Sequence, residues 1–385
     1  MFGIHLGQTH EKIIAVADVG SGSSALAIIA VPKKGAVRIL AAERRQLKVE
    51  ERSREATLAA TCSNLVEVGQ GVLALYAKTG GAAPSAVYAI VNTPWTHSKT
   101  IHADSVFPEM TRITPKMISA LAQKALASDT EFDKSRILQA SLIRVEVNGY
   151  PTDAPEGKSG TSLSAVALLS DCDPSVRSGV TSALQQLFGG QSIRMRSGVQ
   201  AILSALHARM ETPQDFLIVD MSSEGTDLIV VRSGITTDHA TVAEGKNSLI
   251  KRISGAGMPE DTMTTLRLAS RGESHDPAAE AINTAMATVE PEMVRVFGEA
   301  ITKLIARERL PNQLILAAHD DLIPWLSSFF ARIDFAQFTL TTQPFSVRAL
   351  KPADLEHWAL PEAGVHVDVG ILVAASLVNT EERRG

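Results

Sequence analysis

The chain has 385 residues, 45% hydrophobic and 21% charged, with a net charge of −5. Those are ordinary values for a folded protein, long enough for more than one domain at about 100–200 residues each. They exclude a strongly basic nucleic-acid binder, and the two cysteines, Cys62 and Cys172, far apart and without a CxxC pair, exclude a disulfide framework and a zinc site.

In chain order, Met1–His5 lacks the basic start and apolar run of a signal peptide. Ile13–Ala17 is an apolar run that ends in Asp18, and Gly20-Ser21-Gly22-Ser23-Ser24 leads into a second run, Ala25–Val31. That pattern predicts two buried strands joined by a tight turn. A short strand at Val37–Ala41 follows. Leu58, Cys62, Leu65, Val66, Val72, Leu73 and Tyr76 recur at helical spacing up to Thr79-Gly80-Gly81. Ala86–Val91 reads as a strand, Thr114-Pro115 opens a helix, and Ile137–Val147 and Leu163–Leu169 read as strands, with a loop at Asn148–Gly160 between them. Asp173-Pro174 opens another helix, and Val199–Met210 carries a further one that includes His207, which reads as structural.

The hairpin pattern then returns. Phe216–Val219 runs into Asp220, a short run of small and polar residues follows, and Thr226–Val231 completes the pair. Thr237–Val242 is the next strand. Lys246–Leu310 reads as mostly helical, with a polar break at Arg271–Pro277. Leu314–Leu316 is a buried strand, followed by Ala317-Ala318-His319-Asp320 and a helix through Leu322, Trp325, Leu326 and Phe329, with Asp320 as its expected N-cap. Val365–Val378 reads as a buried strand and helix, shorter than the roughly 20 residues that span a bilayer. The expectation is a cytoplasmic protein built as one half-molecule made twice, each half aiming an Asp-tipped hairpin at a shared cleft.

A turn of small residues gathers backbone N–H groups that suit phosphate oxygens. An aspartate at the strand end suits a hydrated Mg²⁺. Asp18 and Asp220 are the candidates for that metal. The plainer reading is two ordinary turns, where Gly, Ser and Asp are common. The first turn also matches GxGxxA, but Pro32 stops a run too short and too strand-like for the helix a dinucleotide fingerprint needs. Among the ten histidines there is no HxxxH or HxxH pair, and no Ser-His-Asp set can be read from order alone. Trp95 has two readings, an exposed partner anchor or burial at a domain joint.

With these residues in view, the chain resembles the actin-like ATPase superfamily, and most of all the bacterial cell-division FtsA family, with the pilus-assembly PilM family as its near relative. Asp18–Ser23 resembles the first phosphate loop and Asp220–Asp227 the second, usually written D-I-G-G-G-T-T-D. Thr236–Ile253 resembles the segment after it, Leu314–Leu326 falls at the adenosine loop, and Val369–Leu372 at the closing helix. The resemblance implies an α/β, actin-like (ribonuclease H-like, duplicated) two-domain fold with an inserted SHS2-type 1C subdomain. Its divisions are domain 1A at 1–85, the insert at 86–170, domain I again at 171–213, 2A at 214–245, 2B at 246–311, 2A again at 312–362, and a return to domain I at 363–385.

The resemblance implies ATP and Mg²⁺ at Asp18, Gly20, Ser21, Gly22, Ser23, Asp220, Ser222, Ser223, Gly225, Thr226, Gly245, Lys246, Ala318 and His319. It also implies protein partners, either the tubulin-like FtsZ or a membrane-protein tail, and self-association into filaments. The departures point to weak nucleotide binding and little turnover. Ser222, Ser223 and Glu224 replace family glycines, and Glu224 sets a charge beside a phosphate, a repulsion of order 4 kcal/mol at about 4 Å and an effective dielectric near 20. Ala318 and His319 replace the adenosine loop's Gly-Gly, with His319 either stacking on a base or filling the space. Ser23 and Ser24 stand where some relatives place a lysine. The end at Asn379–Gly385 is too short and polar for an FtsA-type amphipathic anchor, so recruitment to the membrane's inner face would need a partner. Three functions follow: an FtsA-like division scaffold, a PilM-like adaptor, or an active ATPase or sugar kinase of the same superfamily.

Overall fold

The computed structural model describes residues 11–128, 133–152, 154–207, 214–270, 277–305 and 308–384. Residues 271–276 of the polar break predicted at Arg271–Pro277, the side chain of His207, and Met210 lie outside them. Two units result, one from the residues up to 92 with 175–209 and 350 onward, the other from 93–174 and 210–349.

The apolar run Lys12–Gly20 (β1) turns at Ser21-Gly22 and returns as Ser23–Val31 (β2), antiparallel, with Gly20 opposite Ser23. Both strands are buried along almost their whole length, which is why they read as continuous apolar runs rather than alternating ones. β3 (Val37–Gln46) extends the meander. α1 (Arg54–Ala77) starts at Ser53, whose side chain accepts from the Ala56 N–H, and buries Leu65, Val68 and Val72 against β2 and β3. Among the described residues, α1 is the helix long and apolar enough to cross a membrane by composition. β4 (Ala86–Val91) then pairs in parallel with β1.

β5 (Thr96–Arg112), α2 (Pro115–Ser128), β6 (Ile137–Val147), β7 (Tyr150–Pro151) and β8 (Ser159–Cys172) form a separate four-stranded sheet, ordered β5-β8-β6-β7, with α2 over a core of Ile101, Leu121, Val145 and Leu163. The strand at 86–91, grouped with the insert by sequence, belongs instead to the β1 sheet, and the insert falls in the unit that holds 210–349. α3 (Pro174–Phe188) and β9 (Ile193–Ser197) complete the parallel crossover from β4. α4 (Gly198–His207) follows.

β10 (Phe216–Met221), β11 (Thr226–Arg232) and β12 (Ile235–Val242) repeat the antiparallel meander. α5 (Lys246–Ser254), α6 (Pro259–Ser270) and α7 (Pro277–Leu304) lead to β13 (Gln313–Ala317), parallel to β10. α8 (Ile323–Phe330) leads to β14 (Ser346–Ala349), parallel to β13. Phe297, Phe329, Phe330 and Phe335 pack edge to face or tilted beneath this sheet. β15 (Ala359–Pro361) joins the edge of β3, and α9 (Val369–Arg384) packs on β1 and α4, so Val365–Val378 adds no strand of its own before the helix.

The sheets are ordered β15-β3-β2-β1-β4-β9 and β12-β11-β10-β13-β14. Removing β15 leaves the same plan twice: a three-stranded antiparallel meander whose first strand carries two further strands in parallel. The register agrees too. Asp18 pairs with Ala25, and Asp220 with Asp227, each seven positions on. The inserted sheet interrupts one copy between its parallel strands β4 and β9.

Candidate functional site

The second hairpin turn, Ser222–Gly225, is tied to its own chain. The Ser222 N–H donates to the Gly225 carbonyl at 2.8 Å, and its hydroxyl lies 2.9 Å from that oxygen and 2.8 Å from the Thr93 carbonyl. At the start of α5, the Lys246 N–H donates to Ser222 O at 2.9 Å and the Asn247 N–H to Ser223 O at 2.7 Å. The Gly245 N–H donates to the Ser248 hydroxyl, and the Thr226 hydroxyl to Glu244 O at 2.6 Å. Helix N-termini present unsatisfied donors that attract anions; here the turn's carbonyls take two of them. Gly245 lies so close that a Cβ on it would sit 2.6 Å from Gly225 N, 2.7 Å from Glu224 N and 2.7 Å from Ser222 O. The face of the turn toward α5 is closed by backbone, and it does not fit a phosphate as it stands.

Behind the turn, Asp227 is buried and holds three side chains. Its Oδ2 accepts from the Thr93 hydroxyl at 2.6 Å, and its Oδ1 from the Thr241 hydroxyl at 2.9 Å and opposite His239 Nε2 at 3.0 Å. His239 Nδ1 donates to the Ser98 carbonyl at 2.6 Å. β11, β12, β5 and the segment before β5 thus meet at one carboxylate. Trp95, two residues after Thr93, is buried, which settles its two readings in favour of packing.

Asp220 lies at the end of β10 between Asp227 and Ala317, half-buried. His319 Nδ1 accepts from the Asp321 N–H at 3.4 Å and caps the short 3-10 turn Asp320–Leu322. The helix that follows, α8, has Leu322 rather than Asp320 at its N-cap, with no side-chain cap bond, and His319 caps only the 3-10 turn before it. Burial, then the charge of Lys246, holds the His319 imidazole below its ordinary pKa, in keeping with an unprotonated Nδ1 acceptor. Asp321 also takes Arg267 Nε at 3.3 Å, and Ala318 packs against the apolar core.

In the other unit, the first hairpin brings Asp18, Gly20, Ser21, Gly22 and Ser23 together as expected of one turn. Three residues not singled out in the sequence complete the surroundings. Asp18 Oδ1 accepts from Asn92 Nδ2 at 2.6 Å, and its Oδ2 from Arg44 Nη2. Arg44 also donates to Asp368 through Nε at 2.5 Å and Nη2 at 3.0 Å, and through Nη1 to the Ser23 hydroxyl at 3.0 Å. Burial opposes the Arg44 charge, but Asp18 and Asp368 outweigh it and raise its pKa. Burial likewise opposes the Asp368 charge, and Arg44 more than reverses that, so its pKa is lowered. Asp368 accepts the Ile371 N–H at 3.0 Å at the start of α9, and a Cβ on Gly370 would meet Asp18 Oδ2 at 2.6 Å and Arg44 Nη2 at 2.7 Å. A lone arginine in a strand and an aspartate far along the chain leave no local pattern, so only the fold reveals them. Among the described residues no group of three or more His, Cys, Asp or Glu side chains forms a metal cluster.

A duplicated meander-plus-parallel sheet, with an Asp at the same depth of each central hairpin, defines an actin-like α/β fold. A chain of the PilM–PilN type IV pilus biogenesis complex shares it, with a TM-score of 0.62 at 14% identity over 95% of this chain and 98% of that one. Lower similarity links the chain to the ethanolamine utilization protein EutJ of Carboxydothermus hydrogenoformans (TM-score 0.45, 11% identity, 96% and 89% covered). A non-polymerising MamK mutant bound to AMPPNP stands lower still (0.40, 10% identity, 96% and 99% covered). At such identities the likeness concerns the fold alone. No protein-family profile and no curated protein matches the sequence.

Proposed function

We propose that this chain is an actin-like adaptor whose work is to hold a protein partner, the cytoplasmic tail of a membrane protein, with nucleotide contributing little. The observation that carries the reading is the closed second turn, where the α5 N–H groups of Lys246 and Asn247 bond Ser222 and Ser223 carbonyls instead of a ligand. The near full-length likeness to a chain of the PilM–PilN complex supports a binding role of that kind, at the inner face of a membrane. A second reading, an FtsA-like division scaffold, draws on the α/β sheet inserted within the first repeat, between β4 and β9, which resembles that family's 1C subdomain. ATP turnover by Asp18, Asp220 and their turns ranks below both.

Two measurements separate these. Calorimetric titration with Mg²⁺-ATP is expected to show no saturable binding at millimolar nucleotide, and tight binding would restore the ATPase reading. Immobilised protein presented with detergent-solubilised membranes is expected to retain a membrane protein through its cytoplasmic tail, with a synthetic copy of that tail binding alone. Retention of FtsZ and no membrane protein, with concentration-dependent filament formation, would favour the division scaffold.

A further inference from the structure

An actin-like ATPase implies a divalent cation near the first hairpin's strand-end carboxylate, and the residues here do not fit one. Asp18 is 6% exposed, and each of its oxygens already has a donor, Asn92 on Oδ1 and Arg44 on Oδ2. The guanidinium reaches Asp18, Asp368 and Ser23 at once. Its planar fork suits two carboxylates better than a point charge does. Gly370 closes the remaining side, since even a methyl group there would collide with Asp18 Oδ2 and Arg44 Nη2. A divalent ion at Asp18 would meet a fixed positive charge at contact distance in a buried setting, where screening is weak.

We propose that Arg44 is a resident counter-ion that takes the place of metal at Asp18 and joins β1, the start of β2, β3 and the start of α9 without any bound cation. One nitrogen, Nη2, donates to both Asp18 and Asp368, so the two carboxylates lie within the span of a single cation. Taking away the guanidinium leaves two neighbouring carboxylates, Asp18 buried and Asp368 half-buried, that a divalent ion suits. This inference stands apart from the partner reading, because it concerns what holds the first unit together whatever that unit binds.

The experiment uses the full chain and the metal alone, with no nucleotide. The thermal midpoint of the wild type is expected to be the same in chelator and in millimolar Mg²⁺ or Mn²⁺. Arg44→Gln is expected to melt lower in chelator, to recover part of the loss with Mn²⁺, and to bind Mn²⁺ at least about tenfold more tightly than the wild type does. Adding Asp368→Asn to Arg44→Gln should abolish that response. Arg44→Lys, which keeps a charge, should fold without gaining metal affinity and serves should Arg44→Gln not fold. The proposal is overturned if the wild type binds Mn²⁺ saturably and Asp18→Asn removes that binding, if folded Arg44→Gln shows no response to metal, or if Arg44→Lys gains one.

Discussion

Replacing Gly245 with alanine tests the closed turn directly. The backbone of Gly245 is extended, with φ −143° and ψ −171°, so alanine suffers no torsional strain there. The cost is steric. The added methyl would stand 2.6–2.7 Å from Gly225 N, Glu224 N and Ser222 O, all of them backbone atoms that no rotamer change can move aside. Overpacking of this kind costs about 1–3 kcal/mol, and the backbone neighbours favour the upper end. For a cooperative unit of about 150–250 residues, 1 kcal/mol shifts Tm by roughly 2–4 °C, so a fall of about 2–12 °C is expected. Gly190→Ala is the control: nothing lies within 4 Å of its Cβ position. It is expected to stay within about 0.5 kcal/mol of the wild type. Differential scanning calorimetry of the three proteins gives the answer. If Gly245→Ala melts like Gly190→Ala, the turn does not lie against α5, and the argument for a closed phosphate face is refuted.

Other predictions rest on separate contacts. Asp227→Asn replaces an acceptor of three side chains with a group half donor, at a cost of about 1–3 kcal/mol or more. Hydrogen exchange is expected to quicken around Ser98 in β5, whereas Thr241→Val, which removes one bond, should cost about 0.5–1.5 kcal/mol and leave β5 protected. Burial pushes the Tyr88 hydroxyl up to about 12, with Arg194 and Glu382 bonded to it. A raised tyrosine pKa means stability complete below about pH 10 and lost as pH rises toward 12. The tyrosinate absorbance missing from Tyr88→Phe should therefore appear only near that upper value. His319 titrates below its usual value, so its share of stability is present above about pH 6.5 and lost as pH falls. A His319 NMR titration midpoint at or above the ordinary imidazole value would remove its capping role. Glu224→Gly with His319→Gly is expected to gain no ATP affinity, because the turn is closed by backbone hydrogen bonds that neither substitution touches.

Much of the scaffold was readable in the residues. Both hairpins showed because their strands are buried on two faces, which leaves uninterrupted apolar runs ending in an aspartate. β5 did not show. Its buried positions, Thr96, Ser98, Ile101 and Ala103, shift phase between Ser98 and Ile101 and stop at Ala103, and Pro108 falls within it where pairing with β8 is broken. β9 and β14 are short, with charged residues on their outer positions, and carry little apolar signal. The candidate sites divide the same way. Asp18 and the second turn were visible as local motifs. Arg44 and Asp368 are 324 positions apart and become neighbours only when α9 returns to the first sheet. His319 looked like a residue beside a helix start, but capping depends on a ring nitrogen's position, which spacing does not reveal.

The return of β15 and α9 to the first sheet has a consequence for biosynthesis. β1, β2 and β3 are translated long before β15, which pairs with β3, and α9, which buries Ile371, Leu372, Ala375 and Val378. While the ribosome makes the intervening segments, the nascent β1–β3 meander lacks its lid, and its apolar surface stays open to chaperones or to wrong partners. The unit built from 93–174 and 210–349 has no such wait, since all its segments have emerged by Ala349. Termination of synthesis after Ala349 would therefore leave the first sheet without β15 and α9 while the unit of 93–174 and 210–349 has all its segments.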